Sequence, residues 1–335
     1  MSKNKNRDLD YLHAGARVNY LENHLITFAD LQKALDAQNA EEAWRGLSGK
    51  ELLKNFDITE MEEAFLQNQS KTYEMIETLT QNSGITNVFR YHIDGHNLKV
   101  LIKSEVAKGT FEEIYKTGGT IDIESMKQEF FSKKFEQIPQ SLGEAAVLAY
   151  DSLAKNSDSQ NVEIIIDKAI MNLMSEKAKE LEIPAIYDYA RMIIDLTNIK
   201  IYLRLLRMQK DIFDVEKMLL VGGTLKVESL KDAYSSQYKG LIDLSSELNY
   251  GQHLKTTLTA IKDGGSLSLF EQEIDRCRTD FFKMISRKPF GIEPIISFLY
   301  KKEREIRTVR LVLIAKLYEL PKKEAAERLR YIYED

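Results

Sequence analysis

The chain has 335 residues, 30% of them charged, and a net charge of −5. That length holds two or three domains of ordinary size, and the acidic balance argues against a general nucleic-acid binder, which needs a basic surface to collect phosphates. Nothing approaches the roughly 18 consecutive apolar residues of a spanning helix; "MSKNKNRDLD" is too polar for a signal peptide, and Cys277, the single cysteine, allows neither an intrachain disulfide nor a thiolate metal cluster. These features predict a cytoplasmic protein. Few prolines and glycines, with long stretches rich in Leu, Ile, Lys and Glu, predict an all-α fold with helix content well above the average of about one-third.

Along the chain, "LITFADLQKAL" reads as the first helix of a short hairpin region. "GLSGKELL" resembles part of a phosphate loop, but Glu51 follows Gly49-Lys50 where Ser or Thr is required, and no upstream glycine has the right spacing. Ser83 reads as the N-cap of a long helix. Inside that helix "HIDGH" puts His92 and His96 on one face; a zincin needs Glu directly after the first His, and Ile93 stands there, so a structural role is favoured.

Next, "GGTIDIESMKQEF" begins at Gly118 and "GGTLKVESLKDAY" at Gly222, 104 residues apart and identical at six of thirteen positions. The glycine pairs tolerate left-handed backbone and are expected to end one long helix just before the next unit's first helix. Pro184 and Pro294 read as first-turn prolines of two further long helices. The three long helices carry Asp94-x-x-Asn97-x-Lys99, Asp195-x-x-Asn198-x-Lys200 and Glu305-x-x-Thr308-x-Arg310, spaced by 101 and 110 residues, and the positions that follow are apolar in every copy. These landmarks predict three helical repeats, at 8–117, 118–221 and 222–335, in a pseudo-threefold arrangement.

On a helix, positions i and i+3 share a face while i+5 points away. Asp94, Asn97, Asp195, Asn198, Glu305 and Thr308 therefore read either as polar pins inside each repeat or as a recurring polar surface where a partner docks. Lys99, Lys200 and Arg310 are expected to pair with neighbouring helices. Cys277, in "EIDRCRTDFF" on a charged helix with no nearby His, reads as inert filler. No complete nucleophile, metal or cofactor motif occurs.

The C-terminal "GIEPIISFLYKKEREIRTVRLVLIAKLYELPKKEAAERL" resembles the signature of the C subunit of the bacterial and archaeal V/A-type ATPases, which is similar to the d subunit of vacuolar ATPases. The pattern is Pro294-Ile295-Ile296, Lys302-Glu303-x-Glu305, Arg310, then Leu320-Pro321 with Glu324 and Arg328; the N-terminal "DYLHAGARVNYLENHLITFADLQKAL" and the internal "GGTL" also suit it. Thr308 in place of Asn is a departure in the third copy. The resemblance covers essentially the whole chain. It implies a funnel of three similar helical domains and a non-catalytic rotor subunit. Such a subunit sits between the central shaft, made of D- and F-type subunits, and the membrane proteolipid ring. It implies no cofactor and no direct lipid insertion, and leaves the transported ion, proton or sodium, to the ring. Rival expectations are a soluble metal-dependent hydrolase built on His92, Asp94 and His96, and a stand-alone helical scaffold.

Overall fold

The computed structural model describes residues 11–109, 111–156 and 159–333. Among them are sixteen α-helices, two short 3-10 turns and no strand, in agreement with the predicted all-α class. The helices are α1 (Leu12–Glu22), α2 (Phe28–Asp36), α3 (Ala40–Leu47), α4 (Met61–Thr80), α5 (Gly84–Ala107), α6 (Ile123–Ser132), α7 (Gln140–Asn156) and α8 (Ser159–Glu180). They continue with α9 (Pro184–Arg207), α10 (Ile212–Met218), α11 (Val227–Tyr234), α12 (Gln237–Ser245), α13 (Gly251–Lys262), α14 (Ser268–Ile285), α15 (Glu293–Leu317) and α16 (Lys322–Tyr333). The three predicted long helices are α5, α9 and α15. The first begins directly after Ser83, and the other two carry their proline in the first turn.

Two compact units divide the chain, one made of Met1–Ser83 with Ile274–Asp335 and the other of Gly84–Glu273. Those cuts fall elsewhere than the repeat boundaries, because a long helix packs against the segment that follows its own repeat rather than only the one before it. In the first unit α15 lies against α1, α2, α3, α4 and α16. Its residues Ile306, Val309, Val312 and Leu313 share a core with Leu31 and Leu35 of α2, Trp44 and Leu47 of α3, and Phe65 of α4. In the second unit α5 packs on α6, α7 and α8, and α9 on α8, α10 and α12. Buried residues surround much of α9, from Ile186 and Tyr189 to Tyr202 and Leu203, as expected of a helix enclosed by others.

The glycine pairs do not end the long helices. Each long helix instead stops on a non-glycine residue in left-handed backbone: Lys108 (φ 51°), Gln209 (φ 51°) and Glu319 (φ 50°). A six-to-one hydrogen bond closes each end, from Gly109 N–H to Ser104 O (3.2 Å), Lys210 N–H to Leu205 O (3.1 Å) and Leu320 N–H to Ala315 O (2.8 Å). The glycines come one connector later, just ahead of α6 and α11. Gly118 and Gly222 there have φ of 89° and 103°. A Cβ on Gly119 or Gly223 would overlap the carboxylate of Asp94 or Asp195, so close approach, not helix termination, dictates the second glycine.

Local signals set the helix starts in the first unit. Thr27 and Asp30 form a capping box on α2: the Thr27 hydroxyl accepts the Asp30 N–H at 3.2 Å, and Asp30 accepts the Thr27 N–H at 3.0 Å. Asn39 accepts the Glu42 N–H at 2.9 Å to start α3. Burial pushes the Asp30 carboxyl up, but the Lys50 ammonium at 2.7 Å and the Thr27 amide and hydroxyl outweigh it and hold the pKa at about 2. That lies below the ordinary 3.8, so the stabilisation is present above the ordinary value and is lost as pH falls towards the folded one. Asp30→Asn is expected to cost about 1 kcal/mol at neutral pH, the pair being partly solvated. The difference from wild type in urea unfolding should shrink as pH is stepped from about 4 to about 2.

Candidate functional site

The recurring polar residues all lie inside the protein: Asp94, Asn97, Asp195, Asn198, Glu305 and Thr308 are buried. On α5 the Asp94 carboxylate accepts the backbone N–H of Thr120 at 2.9 Å, that of Ile121 at 3.2 Å and the Thr120 hydroxyl at 2.7 Å. Three residues on, Asn97 acts as a two-bond clip: its amide donates to Lys116 O (2.7 Å) and its carbonyl accepts the Lys116 N–H (2.8 Å). One turn before Asp94, Arg90 donates to the carbonyls of Gly118, at 2.9 Å, and of Gly119. Burial raises the Asp94 pKa above its ordinary value, against the opposing pull of the Thr120 and Ile121 bonds and the Arg90 charge.

The second copy repeats the arrangement on α9. Asp195 accepts the N–H of Thr224 at 2.9 Å and of Leu225 at 2.8 Å, and takes a third bond from the Tyr250 hydroxyl at 2.8 Å. Asn198 clips Leu220 by the same two bonds, 2.9 and 2.8 Å. In both copies the captured N–H groups belong to the residues just before a helix, α6 or α11, where backbone donors lack intrahelical partners.

The third copy keeps the principle and changes the parts. Glu305 on α15 accepts the N–H of Ile26 at 2.7 Å, two residues ahead of α2. Its other oxygen takes the Lys302 ammonium at 2.6 Å, in place of a second backbone donor. Thr308 turns onto its own helix, donating to Arg304 O and Glu305 O at 2.9 and 3.0 Å. Lys301, one turn before Glu305, binds Glu22 of α1 at 2.8 Å. The structure thus holds these side chains as internal pins, and their polar atoms are occupied by the chain itself.

The i+5 cations point to other helices, as helical geometry predicts. Lys99 binds Glu163 and Asp167 of α8 at 2.8 and 2.7 Å, Lys200 binds Glu271 of α14 at 2.5 Å, and Arg310 binds Glu62 of α4 at 2.7 Å. Sequence reasoning placed Glu303 in the Lys302-Glu303-x-Glu305 pattern without assigning it a role. It faces away from Glu305, accepts from Tyr73 OH at 3.2 Å and lies 3.9 Å from Arg278, with burial raising its pKa. Only the side alternation within "KERE" hinted at this.

Each histidine of "HIDGH" has a ring nitrogen against a backbone carbonyl, His92 at Phe89 O (2.6 Å) and His96 at Ile114 O (3.0 Å). Gly95 between them lies against Ile170 of α8, so the motif marks close helix packing. His96 also borders an open recess of about 430 Å3 with Lys99, Lys103, Phe111, Ile114 and Glu163. Among the described residues no group of three or more His, Cys, Asp or Glu is placed to hold a metal. Cys277 is buried on α14.

Losing a buried charged partner costs about 3–5 kcal/mol, whereas exposed ion pairs are worth about 1 kcal/mol or less. Asp195→Lys and Glu305→Lys are therefore expected to melt well below wild type, and Lys200→Ala close to it. Thermal unfolding of the three variants side by side checks this; charge-reversed pins that melt with the wild type would contradict it.

Comparison with known proteins gives the family of the chain. The family described as ATP synthase (C/AC39) subunit matches residues 14–328. The C subunit of the V-type sodium ATPase of Enterococcus hirae is 21% identical over 268 residues, covering 80% of this chain and 81% of that protein. The C subunit of the A-type ATP synthase of Methanocaldococcus jannaschii is 24% identical, covering 94% and 84%. The C subunit of the V-type ATP synthase of Thermus thermophilus is 25% identical, covering 96% and 98%. The chain belongs to the C/AC39 family, as a C subunit of the V/A-type ATPases and a homologue of the d subunit of the eukaryotic vacuolar enzymes.

Proposed function

We infer that this C subunit is a non-catalytic rotor element coupling the central shaft, of D- and F-type subunits, to the membrane proteolipid ring in ATP-linked proton or sodium transport. It works on the cytoplasmic side of the membrane, held there by the ring. This conclusion rests on the family match across residues 14–328. No described helix is long and apolar enough to cross a membrane, which fits attachment through protein.

The internal geometry suits torque transmission. A coupler needs its long helices fixed in register, and the pins supply that by tying α5, α9 and α15 to the starts of α6, α11 and α2. The equal distance from each acid to the left-handed residue that ends its helix supports three equivalent repeats around a pseudo-threefold axis.

With the pins buried, docking falls to other surfaces. Beyond the ends of α9 and α15, large apolar side chains stand in solvent: Phe213 is 69% exposed and Tyr318 74%. Such side chains, with their neighbours Met208, Leu317 and Leu320, are suited to be contacts for the shaft or the ring. Phe213→Glu and Tyr318→Glu are expected to leave the melting temperature near wild type and to weaken assembly with purified shaft subunits or ring by about tenfold or more. Co-purification and titration against each partner measure this; full assembly by both variants would remove these surfaces from the coupling path.

A further inference from the structure

Between α14 and α15 the chain of this acidic protein makes a tip that is locally basic and apolar. Phe282 and Ile285 on one side and Ile292 on the other are buried. Phe282 stacks on Tyr300 at 4.3 Å, and Gly291 turns the chain with φ 96°. These anchors hold the intervening residues outward. Met284 and Phe290 are each 59% exposed, and Lys283, Arg287, Lys288 and Pro289 are exposed beside them. Between 283 and 290 there are three cations and no acid. The nearest carboxylates in sequence are Asp280, exposed one turn back, and Glu293, which binds Lys288 at 2.6 Å.

We propose that this tip seats on the anionic phospholipid surface of the membrane, with Arg287 and its neighbouring cations at the phosphates and Phe290 and Met284 at headgroup depth. Cations interleaved with large apolar side chains suit an interface that is negative outside and apolar just beneath. An outward-held tip also suits a flat, deformable surface better than an acidic peptide, which calls for a groove. The contact is local: at physiological salt the net charge elsewhere on the chain is screened beyond about 8 Å. It adds a shallow surface contact to attachment through the ring, and crosses nothing.

The test uses the full chain with vesicles of phosphatidylcholine alone and of phosphatidylcholine mixed with phosphatidylglycerol. Wild type should co-sediment with the anionic vesicles only and be released by salt. Each cation near such a surface contributes a factor of about five, so the double variant Lys283→Glu with Arg287→Glu, which changes two exposed cations and keeps the Lys288–Glu293 pair, should bind about tenfold more weakly or worse, with melting close to wild type. In Phe290→Trp the added indole should shift its emission to the blue on anionic vesicles. Failure of wild type to bind them, undiminished binding by the double variant, or an unshifted emission from the added indole each overturns the proposal. Weakened assembly of the double variant with purified ATPase subunits, with vesicle binding intact, would reassign the tip to an acidic protein surface. These outcomes are independent of the Tyr318→Glu assembly measurement, so the lipid contact and the coupling role can fail separately.

Discussion

A buried carboxylate on a long helix, accepting the backbone N–H groups that precede another helix, is the constraint on which the rest of the structure hangs. Each side of that contact is unfavourable alone. An ionised carboxylate away from water loses its hydration, and N–H groups at a helix start have no intrahelical acceptor. Together they satisfy one another, and charge-assisted bonds to backbone are among the stronger hydrogen bonds available to a protein. The contact also dictates sequence nearby. Gly119 and Gly223 must lack a side chain because Asp94 and Asp195 lie where a Cβ would be. Asn97 and Asn198, one turn further along, fasten the strand of connector that leads into the same site.

The third copy shows what the constraint tolerates. In the first two, the segment the long helix captures follows it in the chain, after a short connector in the first copy and after α10 in the second. Glu305 captures Ile26, which lies 279 residues away in sequence. No glycine pair stands there, and the extra methylene of Glu gives the carboxylate more reach than Asp. One backbone donor replaces two, and Lys302 neutralises the oxygen left over. Asn at 308 would have a connector to clip only if one led from α15 into α2. None does, and Thr308 bonds within its own helix. The departure from the pattern at 308 follows from chain connectivity.

Much of this was legible from residue types. Ser83, Pro184 and Pro294 marked the three long helices, and the acid-x-x-amide spacing marked one inward face. The cations at i+5 were sent to other helices by geometry alone. What stayed hidden has a common cause: the pins bind backbone, and a backbone N–H carries no residue identity by which to find it. Sequence therefore left the choice between internal pin and docking surface open, and burial of Asp94 and Asp195 tips it. The glycine pairs were misplaced for a related reason. Lys108, Gln209 and Glu319 end the long helices in left-handed backbone without being glycine, while the glycines answer a steric demand from another helix. The compact units were equally invisible, since α15 joins the N-terminal helices across most of the chain.

Polar pins do something for a packed helical subunit that an apolar core does not. Side chains such as Val309 and Leu313 stabilise contact between α15 and its neighbours, but an apolar surface loses little when one helix slides along another by a fraction of a turn. A carboxylate held by two amides roughly 3 Å away loses its bonds over such a shift, and the buried charge then has no partner. The pins thus oppose sliding steeply while the apolar contacts oppose separation. In the proposed coupling role, a load on one helix end would pass to the next element as register and not be taken up as slip. That division accounts for the interior position of the polar groups, while the apolar side chains at 213, 284, 290 and 318 are mostly exposed and are the ones proposed to meet other surfaces.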